Sequence, residues 1–249
     1  MKICAAAVVS PPMRRSVVVL TLAAAGLVAA GPASAAPGTG AIKGVVTWKG
    51  APPADPAVDR SRDPACPTGR GGEDVVVTDG KLRDVLVRIK LAAPPSAPPS
   101  APPPAVIGQT ACMYTPRVVG LVVGQKLEIR NLDPTFHNVR GNLATKILWN
   151  LGQAKGAPAI VRDNLGQPGD VVSLHCDVHP WMSAWVAIHD HPHFAVTGAD
   201  GGFTLPDLAP GTYTVEAWHP TLGTKTSKLK VRRGKTTKAS FTFAAPPAR

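Results

Sequence analysis

Four side chains in this 249-residue chain could together hold one metal ion. Cys176-Asp-Val-His179-Pro-Trp-Met182 places a thiolate, an imidazole and a thioether in the order C-x-x-H-x-x-M. Upstream, Leu132-Asp133-Pro134-Thr135-Phe136-His137-Asn138 offers a second imidazole in a short polar loop. Two His nitrogens and one Cys sulfur, with a weak axial Met, are the donor set of a type 1 copper site. Three donors on one loop and the fourth on a neighbouring loop is an economical way to pre-organise such a site. Pro180 stiffens the loop by fixing φ. Trp181 excludes water, which tunes local dielectric and potential. Asn138 is placed to hold the two loops together. His179, beside apolar Pro180 and Trp181, is expected to carry its ring edge near the surface as the electron port.

Other chemistries compete. Structural zinc prefers four Cys or His ligands, and thioether is a poor choice for it. His175 could replace Met182, but neighbours on a strand point to opposite faces. A nucleophilic Cys–His pair would need an orienting third group and an oxyanion hole, and neither is evident. Met182 alone reads as core, and His137 alone as a loop histidine. His189, His191 and His193 form H-x-H-x-H, which on an extended segment would share one face and could bind a second metal. The blander reading is a polar junction, because Pro192 interrupts the strand. His219 reads as a strand-end residue near that junction.

The elements that must position these residues read as strands throughout, and no segment keeps a 3.6-residue apolar period. Strands are expected over 42–48, 74–78, 82–91, 106–113, 117–123, 126–130, 171–174 and 184–189. A further set covers 194–197, 203–205, 212–218, 228–231 and 239–243, while 141–163 is irregular. Residues 93–104 are a Pro/Ala/Ser repeat, read as an extended linker or surface loop.

The first 35 residues read as an export leader. Arg14 and Arg15 precede an apolar run over 17–30, and Ala33-Ser34-Ala35 is a cleavage pattern. No later apolar stretch is long enough to anchor the chain in a membrane. Losing Lys2, Arg14 and Arg15 lowers the net charge from +11 to +8. No basic run with interleaved aromatics points to nucleic acid. Export also bears on the cysteines, since oxidising compartments pair thiols. With Cys4 removed and Cys176 kept for metal, Cys66 and Cys112 are left to form a disulfide.

Two resemblances follow from these residues. Asn131-Leu132-Asp133, His137-Asn138 and the Cys176–Met182 loop resemble the cupredoxins, most of all plastocyanin and amicyanin. Thr197-Gly-Ala-Asp200-Gly-Gly-Phe203 and Leu208-Ala-Pro-Gly211-Thr-Tyr213-Thr resemble the carboxypeptidase regulatory-like domain, a non-catalytic transthyretin-like sandwich. Together they imply an all-β chain: a Greek-key cupredoxin β-sandwich over 105–190 and a small regulatory-like β-sandwich over 191–245. Strands over 41–92 resemble the opening part of that second sandwich, so the copper block would be inserted into it. The resemblance implies His137, Cys176 and His179 as equatorial ligands and Met182 as axial ligand of one copper ion. It implies a periplasmic or secreted, non-enzymatic protein that carries single electrons to a redox partner such as a cytochrome or dehydrogenase. Two other readings stay open at this point: a binding module whose copper is structural or sensed, and a copper-delivery protein.

Overall fold

The computed structural model describes residues 38–55, 57–69, 71–91 and 102–245. The stretch expected to be a leader and most of the proline run lie outside them. All regular elements among the described residues are strands, in this order: β1 (Gly40–Lys49), β2 (Val77–Thr78), β3 (Lys81–Leu82), β4 (Leu86–Lys90), β5 (Ala105–Thr110), β6 (Met113–Thr115), β7 (Val118–Val122), β8 (Leu127–Asn131), β9 (His137–Leu143), β10 (Lys146–Gln153), β11 (Ile160–Arg162), β12 (Val171–His175), β13 (Ser183–His189), β14 (Phe194–Val196), β15 (Gly202–Leu208), β16 (Gly211–His219), β17 (Gly223–Val231) and β18 (Thr236–Ala244). No helix among them is long and apolar enough to cross a membrane.

The strands form two sheet pairs. One pair joins the two ends of the described chain. In it β1 lies between β15, antiparallel, and β18, parallel, and also touches β3. The facing sheet has the order β14-β4-β16-β17. Alternation explains the burial: Ile42, Val46 and Trp48 of β1 turn inward, and Val215 and Ala217 of β16 meet them from the other sheet. Phe203, Leu205, Phe241 and Phe243 complete this apolar core.

Residues 105–189 form the second pair. Its sheets run β10-β9-β12-β13-β7 and β11-β8-β5-β6. Ile107, Leu121, Leu127, Ile129, Val172, Leu174 and Val186 fill the space between them, and Cys176 and Met182 lie in the same cluster. A third, smaller cluster of Leu86, Val118 and Ala187, flanked by Phe194 and Trp218, joins the two sandwiches. Phe194 packs flat on Gly120, where a Cβ would have no room.

Several strand expectations need correction. The run expected over 82–91 is broken: Asp84 takes a positive φ of 62° and separates β3 from β4. The strand expected over 74–78 shortens to Val77–Thr78. The stretch 141–163 is ordered as the end of β9, all of β10, and β11. Its pattern was unreadable because β10 is exposed or half-buried on both faces until Gln153.

The H-x-H-x-H segment is also resolved. The chain bends after His189, the His189–His191 and His191–His193 ring centroids are each 5.8 Å apart, and two of the rings also reach main-chain carbonyls. His189 Nδ1 lies 3.2 Å from the Leu121 carbonyl, and the His189 ring stacks on Phe194. His191 Nε2 lies 3.1 Å from the Ile89 carbonyl, while His191 Nδ1 accepts from the His193 amide. Among the described residues the three do not make up one of the groups of His, Cys, Asp and Glu whose donor atoms lie within 4.8 Å of one another.

Candidate metal centre

The site begins with two loops at one end of the second sandwich. Strands β12 and β13 pair up to His175 and Ser183, and the intervening loop continues the hairpin. The Cys176 amide donates to Met182 O at 3.3 Å, and the Met182 amide donates to His179 O at 2.9 Å. His137 opens β9, the neighbour of β12, so both loops leave the same sheet edge side by side. Asn138 ties them: its Oδ1 accepts from the Asp177 amide, and its Nδ2 donates to Asp177 Oδ2 at 3.2 Å. Tyr114 adds a second tie, donating its hydroxyl to Asn138 O at 3.0 Å beside His175 O at 3.3 Å. Burial raises the Tyr114 pKa far above its ordinary value, so it stays a donor.

Three of the four expected donors converge. His137 Nδ1 and His179 Nδ1 are 2.9 Å apart, and Cys176 Sγ is 3.8 Å from His179 Nδ1. The Asn138 amide points at Cys176 Sγ from 3.5 Å. Met182 is fully buried in the cluster that holds Cys176. His137 is 0% exposed and His179 1%.

Both imidazoles carry a carboxylate on the far nitrogen. His137 Nε2 is 2.9 Å from Asp133 Oδ2, and His179 Nε2 is 3.0 Å from Asp63 Oδ2. A carboxylate only accepts, so each Nε2 keeps its proton, and the two Nδ1 atoms, 2.9 Å apart, share a proton that a metal ion would displace. With that proton displaced, two lone pairs and a sulfur face one small volume. That is a donor set for a cation, and its softness suits copper or zinc better than calcium or magnesium, with a thioether as fourth donor favouring copper over zinc. Burial pushes the His137 pKa below its ordinary value, outweighing the opposing effect of Asp133. The neutral imidazole that a metal needs is thereby favoured.

Asn131 and Asp133 belong to the sequence motif, and the fold gives them their roles. Asn131 Oδ1 accepts from the Asp133 amide, and its Nδ2 donates to Thr135 O at 2.8 Å and Gln153 O at 3.0 Å. Asp133 also accepts from the Ala111 and Cys112 amides. Those two residues form the β5–β6 turn, both at φ 55°. Left-handed φ costs non-glycine residues roughly 1–2 kcal/mol each, so the turn relies on the charged acceptor that also orients His137.

Residues 57–71 were missed altogether as part of the site. Cys66 and Cys112 form the expected disulfide, which roots this strap on the β5–β6 turn. Arg60 is buried, donates to Ala111 O and Gly71 O, and lies 5.0 Å over the Trp181 ring. Trp181 donates to Cys112 O at 3.0 Å. The strap also corrects the expectation that His179 shows a ring edge at the surface: Asp63 covers that edge. Among the described residues, three groups of His, Cys, Asp and Glu have donor atoms within 4.8 Å of one another. Two of them use disulfide sulfurs, which leaves His137, Cys176 and His179 as the group with a free thiol.

Comparison with known proteins bears on both halves. The model of the carboxypeptidase regulatory-like domain matches residues 179–244. Its first residues fall on the metal loop and β13, and its remainder spans β14–β18. Strands β1 and β4, outside the match, complete that sandwich by pairing with β15, β18, β14 and β16. No curated protein matches the chain. Similar solved structures are cupredoxins and a copper enzyme. A purple cupredoxin from Nitrosopumilus maritimus is 21% identical over 34% of this chain and 98% of its own, with a TM-score of 0.28. Amicyanin from Paracoccus versutus is 17% identical over 41% of this chain and 97% of its own, with a TM-score of 0.30. The copper-containing nitrite reductase of Thermus scotoductus is 18% identical over 39% of this chain, with a TM-score of 0.30. This chain spans 25% of that enzyme.

Proposed function

We propose that this chain is an exported type 1 copper protein that carries single electrons between redox partners and performs no catalysis. The observation that carries the reading is the convergence of His137 Nδ1, His179 Nδ1 and Cys176 Sγ, with both Nε2 atoms engaged by carboxylates. Met182, buried beside them, is the proposed axial ligand. Copper held there supplies a one-electron couple. The protein's own contribution is a set of donors that need not move: sheet pairing fixes both loops, Asn138 and Tyr114 join them, and the strap and Trp181 keep water out. The Asn138 N–H tempers the charge on the Cys176 sulfur.

In this reading residues 105–190 are a copper module inserted into a regulatory-like sandwich made of 41–92 and 191–245. Leu132, Phe136 and Val178 flank the ligands and are exposed, which suits apolar docking of a redox protein such as a cytochrome or dehydrogenase. The leader supports a periplasmic or secreted location. One observation favours a second reading, a non-redox module with structural or sensing copper: the covered edge of His179.

Adding Cu(II) to the purified protein tests the site. An intense thiolate-to-copper band in the visible spectrum, absent in Cys176→Ser, is the expected result. A colourless wild type, or a band that survives the substitution, would overturn the assignment.

A further inference from the structure

Resting on the copper reading, we propose that Asp63 is a positioning residue for His179. It makes the 57–71 strap a working part of the metal centre as well as a cover. The strap reaches His179 from 116 residues away in the sequence. Several contacts aim the Asp63 carboxylate. Its Oδ2 accepts from Thr135 Oγ1 at 2.6 Å as well as from His179, and its Oδ1 accepts from the Ala65 amide at 2.9 Å. The main chain around it is turned by Asp63 N–H to Arg60 O and Cys66 N–H to Asp63 O. The disulfide then fixes Cys66 to the turn that Asp133 holds. Thr135 belongs to the loop that carries His137, so this one carboxylate touches both ligand loops.

Three effects follow. The carboxylate keeps the proton on His179 Nε2, which presents Nδ1 to the metal. It fixes the ring plane, because rotation would break a charge-assisted hydrogen bond. It also makes the imidazole a stronger electron donor, which favours the more highly charged Cu(II) over Cu(I). Removing an orienting partner of a metal-bound His typically costs 10–100-fold in affinity. Here the loss falls mainly on Cu(II), so the reduction potential rises.

The test compares wild type with Asp63→Ala, Asp63→Asn and Asp59→Asn. Asp59→Asn removes the same charge from an exposed position on the same strap that does not touch His179. In the metal-free protein, nitrogen NMR should find His179 protonated on Nε2 in wild type and as a tautomer mixture in Asp63→Ala. With copper bound, Asp63→Ala should lower the Cu(II)/Cu(I) affinity ratio at least tenfold, a rise of about 59 mV for one electron. Asp63→Asn, which keeps the shape and a neutral acceptor, should fall between wild type and Asp63→Ala. Asp59→Asn should move the ratio less than threefold. A wild-type His179 protonated on Nδ1 and not on Nε2 would overturn the proposal without any variant. So would a shift in Asp59→Asn equal to that in Asp63→Ala. A wild type that forms no coloured copper site would refute the copper reading itself, while the NMR comparison still judges the role of Asp63.

Discussion

The two sandwiches use the same sheet-on-sheet packing and fill it differently. The one built from β1–β4 and β14–β18 has a core of Val, Ile, Leu, Phe, Trp and Ala. The one built from β5–β13 ends in a buried polar network: Gln109, Asn131, Asp133, His137, Asn138, Gln153 and His179. Buried polar groups cost free energy unless every donor and acceptor is matched. Seven of the fourteen buried polar residues among those described are gathered in this one network, around the candidate metal ligands. The apolar sandwich packs against the other through β4 and β14.

The comparison predicts where substitutions should be felt. Phe243→Ala, in the apolar core, should cost about 3–5 kcal/mol in denaturant unfolding and leave the copper spectrum of the folded fraction unchanged. A changed spectrum would show that the sandwiches are more tightly coupled than their small shared seam implies. Replacing Cys66 and Cys112 with Ser should cost about 4 kcal/mol in the loop-entropy model for a separation of 46 residues. Unlike Phe243→Ala, it should also perturb the copper spectrum, because it frees the strap.

Acid should act on both sandwiches. Burial depresses His219, at the end of β16, to about 4, with Arg117 adding to the effect and Asp74 opposing it. Burial and Arg88 likewise take His189, at the end of β13, to about 4. Both are neutral in the fold and gain protons on unfolding. Their contribution is complete above the ordinary His pKa of about 6.5 and is lost as pH falls from there towards 4. Each is worth on the order of 3 kcal/mol over that window. His219→Gln should flatten the acid limb of a stability–pH curve, and an unaltered limb would contradict the burial argument. Tyr114→Phe should have the smallest effect, about 1 kcal/mol, since it removes one hydrogen bond between the ligand loops. An equal loss in metal-free and copper-bound protein would show that the bond serves folding alone.

Much of this was legible in the sequence because the decisive residues are close together. Cys176, His179 and Met182 lie within one loop, and the alternation of β1 and β16 reports which faces are buried. The parity of the cysteines was enough to pair Cys66 with Cys112. What could not be read depends on distance or on local exceptions. Asp63 sits in a polar Pro/Gly-rich stretch, and nothing near it in the chain points to His179. Asp84 looks like any polar strand residue until its φ is known. β10 is exposed or half-buried on both faces until Gln153 and so shows no period. Asp133 was visible as part of a motif, but its task depends on the left-handed turn at Ala111 and Cys112, which no local pattern announces.

The central claim is that His137, Cys176, His179 and Met182 hold a copper ion that exchanges one electron without rearranging its ligands. A reductive titration of the copper-loaded protein, followed in the visible spectrum and at an electrode, tests it most directly. The thiolate-to-copper band should bleach after one electron per chain and return fully on reoxidation, and the protein should give a fast reversible wave. Absence of the band, or an irreversible wave with loss of copper on reduction, would contradict it.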